Sequence, residues 1–219
     1  MAVAAIFDLD GTLVTFNLDI GEWRKVLLDV LRKRGYETGS LGLTTPTQDI
    51  LDSARDQAGP ANPGAYDDLK KEAFSILDVL ELKGAESSTV FPDAVATLQY
   101  LKSKGVRLGI LTNSGRKAAT ESLKKLGIGG YFEFVLTRDE TDAMKPRPEG
   151  LVKAVSLLGI APSEVYYIGD SRYDIMAAKR AGVNSVAIGT GNYTVESLRD
   201  IGADYAVAAL SEVAAVLGV

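Results

Sequence analysis

The sequence predicts an α/β fold, a doubly wound parallel sheet with a helical cap domain inserted after the first strand. Short apolar runs, typical of buried strands, alternate with segments of helical periodicity over most of the chain. The exception is residues 15–86, which contain helical patterns and no strand pattern. Polar residues follow three of the apolar runs, where parallel strands would bring them to one edge of the sheet.

The first apolar run, Ala2 to Phe7, predicts a fully buried strand and leads directly into Asp8, Asp10, Gly11 and Thr12. Residues i and i+2 of an extended chain point to the same side, so both carboxylates can face one small volume. Two like charges at such a short distance repel each other, which is unfavourable unless a proton, a cation or strong hydrogen-bond donors lie between them. A simple turn at the Asp-Gly step is the alternative interpretation of this stretch alone.

The predicted cap covers residues 15–86, and the predicted core covers residues 1–14 and 87–219. The first helix of the cap starts at Asp19, a favourable N-cap residue, and carries apolar residues every three or four positions. Its end is expected before Gly35. Cap helices are predicted over residues 19–34, 48–58 and 66 to about 82, separated by loops at 35–47 and 59–64.

Two junctions join the predicted cap to the predicted core, near Thr15–Asn17 and near Gly84–Ser88. Both contain small and polar residues, which are typical of positions where a chain bends. We therefore expect the cap to open and close about these two junctions, and to cover the pocket when substrate is bound.

From Val90 onward the alternation of strand and helix patterns returns. Segments of ten or more residues with helical periodicity lie between apolar runs, which is the length that crossovers between parallel strands require. Strands are predicted at 106–113, 132–137, 165–170, 184–191 and 204–210, and helices at 92–104, 117–126, 148–158 and 173–181.

Composition restricts the chemistry that the chain can perform. The 219 residues include no cysteine and no histidine, which leaves carboxylates and hydroxyls as reactive groups and metal ligands. A hard, oxygen-bound cation such as Mg²⁺ is therefore the expected metal. The formal net charge of −5 disfavours a nucleic-acid surface. Because no long apolar run or secretion signal is evident, we expect a cytoplasmic enzyme without a membrane span.

Polar residues collect where the predicted strands leave the sheet. Each has an ordinary interpretation when taken separately, such as an N-cap or a solvated loop charge. Their joint placement predicts one pocket in which a divalent ion, a lysine and an incoming phosphate balance several carboxylates. Besides the two carboxylates after the first strand, the set comprises Thr112, Asn113, Ser114, Lys145, Asp170 and Asp174.

The chain resembles the haloacid dehalogenase-like superfamily, in its phosphoglycolate phosphatase-like group with a helical cap. The resemblance rests on four motifs that span nearly the whole predicted core in the family's order: FDLDGTL, LTNS, the lysine of MKPRP, and GDSRYDI. It implies a Rossmann-like core and a Mg²⁺-dependent phosphatase that hydrolyses a small phosphorylated metabolite. Neither nucleic acid nor membrane is an expected partner, and the choice between a monomer and a homodimer stays open.

The resemblance also implies how the reaction proceeds. Asp8 would be the nucleophile, attacking phosphorus to form an aspartyl-phosphate that water later hydrolyses. Asp10 would act as the general acid and then as the general base. Mg²⁺ would be held by the Asp8 carboxylate, the backbone carbonyl of Asp10, and Asp170.

The remaining matches would support that reaction. Thr112 and the Asn113 amide would bind phosphoryl oxygens, and Lys145 would neutralise charge on the nucleophile and the phosphate. Asp174 would hold Lys145 in place or support the metal shell. Gly11 would let the backbone approach the phosphate closely.

Other functions stay as alternatives. Dehalogenases and phosphonate hydrolases of the superfamily lack the second acid, so Asp10 favours a phosphatase. A phosphomutase is an alternative, although the mutases of this group use a cap histidine that the chain does not have. A phosphoacceptor signalling module would be identified by a stable aspartyl-phosphate. A catalytically silent binding module is disfavoured by the intact set of acids.

Substrate contacts are expected from the cap loop at 39–48, which in this family meets the leaving group. Thr44, Thr45 and Gln48 are the predicted contacts. The loop contains no arginine or lysine, so it offers no evident clamp for a second anion. A solvated connector is the alternative interpretation of this loop.

Overall fold

The computed structural model describes residues 3–15, 18–60, 62–191 and 193–219. Its strands are β1 (Ala4–Phe7), β2 (Arg107–Leu111), β3 (Phe134–Leu136), β4 (Val165–Gly169), β5 (Asn184–Ile188) and β6 (Tyr205–Val207). They form one sheet in the order β3-β2-β1-β4-β5-β6, and every pair of neighbours is parallel. The order of the strands reverses beside β1, which confirms the predicted doubly wound parallel sheet.

The described helices are α1 (Ile20–Lys33), α2 (Thr47–Ala58), α3 (Pro63–Ser87), α4 (Ala94–Ser103), α5 (Arg116–Leu126), α6 (Glu149–Leu158), α7 (Arg172–Ala181), α8 (Val195–Asp200) and α9 (Val213–Leu217). Every predicted strand and helix of the core is present, with ends that differ by no more than three residues; Ala2, the predicted first residue of β1, lies outside the described residues. The sequence did not reveal α8 and α9, because five or six residues are too few for a periodic pattern.

Both faces of β1 are covered. Ala5 and Phe7 belong to a hydrophobic cluster with residues of α4, α5 and α9, whereas Ala4 and Ile6 belong to a second cluster with residues of α6 and α7. The alternation follows from the two-residue period of a strand. Burial on both faces explains why the β1 sequence is continuously apolar.

The helices α1 to α3 pack against each other around a third cluster, which includes Trp23, Leu27, Ile50 and Leu69. Asp19 is the N-cap of α1, as predicted, and its side chain accepts a hydrogen bond of 3.0 Å from the Glu22 amide. Residues 18–60 and 62–88 contain helices and turns but no strand. None of the described helices is long and apolar enough to cross a membrane.

The C-terminal end of α3 differs from the prediction. The helix continues five residues beyond the expected end near Leu82, so the residues from Gly84 to Ser87 are helical and the chain turns only at Ser88. The reason is a tertiary contact. Lys125 of α5 donates hydrogen bonds to the carbonyl oxygens of Ala85, Glu86 and Ser88, which satisfies the end of the helix.

The other predicted hinge falls partly on Phe16 and Asn17, which lie outside the described residues. Its first residue, Thr15, is bound to Thr89 on the returning chain. The Thr15 amide donates to the Thr89 carbonyl at 2.8 Å, and the Thr89 amide donates to Oγ1 of Thr15 at 2.9 Å. The two connections between the predicted domains are therefore held side by side.

A buried arginine joins α3 to the core. Arg138, in the loop after β3, has a fully buried side chain and pairs with Glu81 at 2.6 Å and with Asp78. Glu81 also accepts a hydrogen bond of 3.0 Å from the Gly115 amide at the start of α5. The Arg138 guanidinium lies 4.9 Å from the ring centroid of Phe74. This network fixes the second half of α3 against the sheet.

We expect Arg138→Ala to lower the free energy of unfolding by about 3–5 kcal/mol, because it leaves the buried Glu81 carboxylate without its partner. Arg147→Ala is the matched control, since Arg147 also joins the core to the helices at 20–87 but its side chain is 40% exposed. The control should cost about 1 kcal/mol or less. Urea unfolding followed by circular dichroism measures both, and equal losses would contradict a special role for the buried network.

Candidate active site

The carboxyl ends of β1, β2 and β4 meet a cavity of about 530 Å³ that α1 and α3 also line. This volume lies in the range of small-molecule sites, about 300–1,000 Å³. The structure thus brings together most of the strand-end residues that the sequence singled out. Those that line the cavity are Asp8, Asp10, Thr112, Asn113, Ser114, Lys145 and Asp170.

Lys145 binds the carboxylate at the end of β1. Its ammonium donates to Oδ1 of Asp8 at 2.8 Å, to Oδ1 of Asp174 at 2.6 Å and to the Tyr167 hydroxyl at 2.8 Å. The three N–H groups of the ammonium thereby have three acceptors. Burial acts to lower the pKa of Lys145, but Asp174 and Asp8 outweigh it and raise the pKa above its usual value. The lysine is therefore charged.

The two oxygens of Asp8 differ in their contacts. Oδ1 accepts hydrogen bonds from the Leu9 amide and from Lys145, both at 2.8 Å, whereas Oδ2 has no hydrogen-bond donor among the described residues. Burial and the neighbouring carboxylates raise the pKa of Asp8, and the Lys145 ammonium opposes that rise. Asp8 therefore presents one oriented, unbound oxygen to the cavity.

Asp10 lies in a different environment from Asp8. Its Oδ2 accepts hydrogen bonds from the Ser114 hydroxyl at 2.5 Å and from the Thr112 hydroxyl at 3.4 Å. Burial raises the pKa of Asp10, and the bond from Ser114 acts in the opposite direction. One carboxylate is thus paired with an ammonium and the other with hydroxyls, although only Leu9 separates the two residues.

Asp174 uses both of its oxygens to organise the site. Oδ1 accepts from Lys145, and Oδ2 accepts from the amide of Ser171 at 3.0 Å and from its hydroxyl at 2.5 Å. Ser171 is in turn the N-cap of α7, which fixes the start of that helix. Of the two positions expected for Asp174, beside Lys145 or in the metal shell, the structure places its Oδ1 against the lysine.

Tyr167 is a site residue that the sequence interpretation missed. It lies in β4 within an apolar run, yet its hydroxyl accepts a hydrogen bond from Lys145. The same hydroxyl can donate to the Leu111 carbonyl, 3.0 Å away, or to Oδ1 of Asp174, 3.1 Å away. Burial, reinforced by Asp174 and Asp8, raises its pKa, so the hydroxyl stays protonated. The available signal was that a tyrosine in a buried strand needs a hydrogen-bond partner.

Asn113 has a task that the prediction did not contain. Its side-chain Oδ1 accepts from the Lys145 amide at 2.8 Å, and its Nδ2 donates to the Lys145 carbonyl at 3.1 Å. The side-chain amide therefore fixes the backbone of the lysine. The backbone N–H group of Asn113 has no hydrogen-bond acceptor among the described residues.

The acidic cluster fits a hard divalent cation. Asp8, Asp170 and Asp174 each have a carboxylate oxygen within 4.8 Å of the others. Burial, followed by the charge of Asp174, raises the pKa of Asp170 to about 7. The donors are all oxygens, as Mg²⁺ requires. Because both oxygens of Asp174 are already bound, Asp8 and Asp170 are the side chains best suited to ligation.

Gly11 is required by the close approach of Asp170. Its φ is +84°, and a Cβ at this position would lie 2.6 Å from a carboxylate oxygen of Asp170. Thr12 donates to the other oxygen of Asp170 at 2.9 Å, and Thr190 donates to the Gly11 carbonyl at 2.6 Å. Thr12 and Thr190 were not among the predicted site residues, because their partners are distant in sequence.

Of the three predicted substrate contacts, the structure brings Thr44 to the cavity. Thr45 instead accepts a hydrogen bond within its own loop, from the Gly42 amide at 3.0 Å. Gln48 is buried, and its Oε1 accepts from the Met144 amide at 2.9 Å. The sequence could not reveal that Gln48 is bound to Met144, the residue before Lys145.

Comparisons with known proteins show similarity over most of the chain. The family model of haloacid dehalogenase-like hydrolases matches residues 3–182. Pyrophosphatase PpaX of Bacillus velezensis is 34% identical over 218 residues, which cover 99% of this chain and 96% of the relative. Phosphoglycolate phosphatase of Neisseria meningitidis is 32% identical over 206 residues, which cover 90% and 85%. A hydrolase of Pseudomonas syringae shares the fold, with a TM-score of 0.67, 22% identity, and coverage of 99% and 98%.

We expect Tyr167→Phe to lower the free energy of unfolding by about 1–3 kcal/mol, because Lys145 and the Leu111 carbonyl lose a buried partner. Tyr166→Phe is the matched control at the next position. Tyr166 is only half-buried, and its ring contacts Tyr205. That change should stay within about 0.5 kcal/mol. Chemical unfolding of both variants gives the comparison, and similar values would argue against the proposed network around Lys145.

Proposed function

The chain belongs to the haloacid dehalogenase-like hydrolase family, and we propose that it is a Mg²⁺-dependent phosphatase that hydrolyses small phosphate monoesters through an aspartyl-phosphate. The observation that carries the proposal is the contrast between its two adjacent carboxylates. Asp8 pairs with Lys145 and presents a free oxygen, whereas Asp10 is held by hydroxyls. The names of the two relatives, a pyrophosphatase and a phosphoglycolate phosphatase, support the same chemistry.

In the first step, Oδ2 of Asp8 attacks phosphorus, and the bond between phosphorus and the ester oxygen breaks. Asp10 gives its proton to the leaving oxygen. In the second step, the Asp10 carboxylate takes a proton from water while the water oxygen attacks phosphorus. The bond to Asp8 breaks, and inorganic phosphate leaves.

The other site residues bind and balance charge. Lys145 compensates the negative charge of Asp8 and of the phosphoryl group, and Asp174 and Tyr167 keep its ammonium in position. Asp8, the Asp10 carbonyl and Asp170 would hold Mg²⁺, which when bound supplies positive charge to the carboxylates and the phosphoryl oxygens.

Thr112 and the backbone N–H of Asn113 are the proposed contacts to the phosphoryl oxygens. The Thr112 hydroxyl already donates to Asp10 across 3.4 Å, a long contact that an incoming phosphoryl oxygen can replace. Gly11 supports the site indirectly, since only a residue without a Cβ lets Asp170 approach so closely.

We further propose that residues 15–86 act as the cap and that residues 1–14 and 87–219 form the core. The shared hydrophobic cluster of α1 to α3 supports a cap that folds as a unit. A small phosphorylated metabolite as substrate and a cytoplasmic location stay predictions.

Replacing the two acids separately tests the mechanism. Asp8→Asn should abolish turnover of p-nitrophenyl phosphate and all phosphoenzyme, because the amide cannot attack phosphorus. Asp10→Asn should lower kcat by about 10²–10⁴, the usual contribution of general acid–base catalysis, while phosphate and Mg²⁺ still bind. Asp200→Asn, an exposed position in α8, is the control. The role of Asp10 would be wrong if its variant kept more than about a tenth of wild-type kcat.

Removal of divalent metal should abolish activity, and Mg²⁺ should restore it, because the negative site needs a hard cation. Ca²⁺ should inhibit, since its looser coordination misplaces the attacking carboxylate. Asp170→Asn should raise the Mg²⁺ concentration needed for half-maximal activity, with Asp200→Asn again as control. Titration of metal into EDTA-treated protein measures these effects. Full activity after exhaustive chelation would refute the metal site.

A further inference from the structure

Arg24 is a charged residue on the buried face of α1. It lies four residues after Ile20 and four before Leu28, and the side chains around it on this face are apolar. Its Nη1 donates to the Leu43 carbonyl at 2.9 Å and its Nη2 to the Tyr173 hydroxyl at 3.1 Å. Its Nε is buried and has no partner among the described residues, which is costly for a polar group.

Arg172 approaches the same place from the core. It begins α7, two residues after Asp170, and its Nη2 donates to the Thr44 carbonyl and to the Tyr173 hydroxyl, both at 3.1 Å. Its Nε is also buried and unpartnered within the described ranges. Both guanidiniums lie near the Tyr173 ring, at 5.8 Å for Arg24 and 5.0 Å for Arg172, and both line the cavity that contains Asp8.

Among the described residues, no carboxylate balances these two positive charges. In the part of the chain that the structure describes, no Asp or Glu oxygen lies within 4.0 Å of either guanidinium. The buried Arg138, by contrast, has three carboxylates within 4.0 Å, those of Asp78, Glu81 and Asp139. Adjacent like charges with spare N–H groups are the arrangement that recognises a carboxylate or phosphate by paired hydrogen bonds.

The position of the pair limits the size of the ligand. Both arginines line the same cavity of about 530 Å³ as Asp8 and Asp170. An anion bound by the arginines therefore shares this one cavity with the phosphoryl group. The predicted specificity loop contributes the carbonyl groups of Leu43 and Thr44, whereas the basic residues come from α1 and α7.

On the basis of the proposed phosphatase activity, we propose that Arg24 and Arg172 bind a second anionic group of the substrate. The substrate class is then a compact phosphate ester or anhydride that carries a carboxylate or a further phosphate near the scissile phosphorus. In this assignment, the arginines determine specificity and contribute binding, whereas the acids at the sheet edge perform the chemistry.

The test compares wild type with Arg24→Gln, Arg172→Gln and the control Arg199→Gln, an exposed arginine of α8. The substrates are phosphoglycolate and inorganic pyrophosphate, which carry a second anion, and p-nitrophenyl phosphate, which does not. Each cavity variant should lose about 10–100-fold more kcat/KM on the two-anion substrates than on p-nitrophenyl phosphate, mainly through KM. The control should keep the wild-type ratios. A larger loss of kcat/KM on phosphoglycolate identifies the second group as a carboxylate, and a larger loss on pyrophosphate identifies it as a phosphate.

A binding measurement separates specificity from catalysis. Phosphonoacetate should bind wild type more tightly than methylphosphonate in the presence of Mg²⁺, and both Gln variants should lose this difference. Arg24→Lys and Arg172→Lys keep the positive charge and should retain part of this difference in affinity. That result distinguishes lost recognition from misfolding.

The outcomes separate this assignment from the proposed function. Equal losses on all three substrates, or unchanged ratios in both cavity variants, would overturn the second-anion site while leaving the phosphatase intact. If wild type hydrolysed none of the three substrates yet bound phosphonoacetate through the arginines, the phosphatase proposal would fail and the anion site would stand.

Discussion

The site depends on the ion pairs and the hydrogen bond that the Lys145 ammonium forms. It joins the end of β1, through Asp8, to the start of α7, through Asp174, and to the hydroxyl of Tyr167 in β4. Without this charge, buried carboxylates would face each other across a few ångströms at a high electrostatic cost. Asn113 holds the lysine backbone from the side of β2. A single cation thus aligns three neighbouring strands at the edge where the cavity opens.

The cavity carries two kinds of charge with different origins. The carboxylates come from strand ends and were visible in the sequence, because short motifs place them there. Arg24 and Arg172 come from two helices that meet only in the folded chain, around Tyr173. A compact ligand with two anionic groups would be oriented by this asymmetry, with one group at the arginines and the other at the strand ends. The carboxylates and the two arginines would therefore both orient the ligand and balance its charge.

The sequence predicted those features that depend on local pattern. Apolar runs gave the sheet, and the acids directly after β1 identified the site. Features that depend on distant partners were not predictable in this way, such as the hydroxyl of Tyr167 beside Lys145 or the extension of α3 by contact with Lys125. The different environments of Asp8 and Asp10 also arise from tertiary neighbours. One local signal went unused, namely the charge of Arg24 on an apolar helix face.

The hydrogen bond from the Met144 amide to Gln48 has a mechanical consequence. Met144 also packs its side chain into the cluster of α1 to α3, while the next residue, Lys145, is clamped by Asn113. Any displacement of α2 away from the sheet must either break the bond at Gln48 or pull on the lysine. The position of α2 and the position of Lys145 are therefore coupled. Substitutions in α2 that displace the helix would therefore also change turnover, through the position of Lys145.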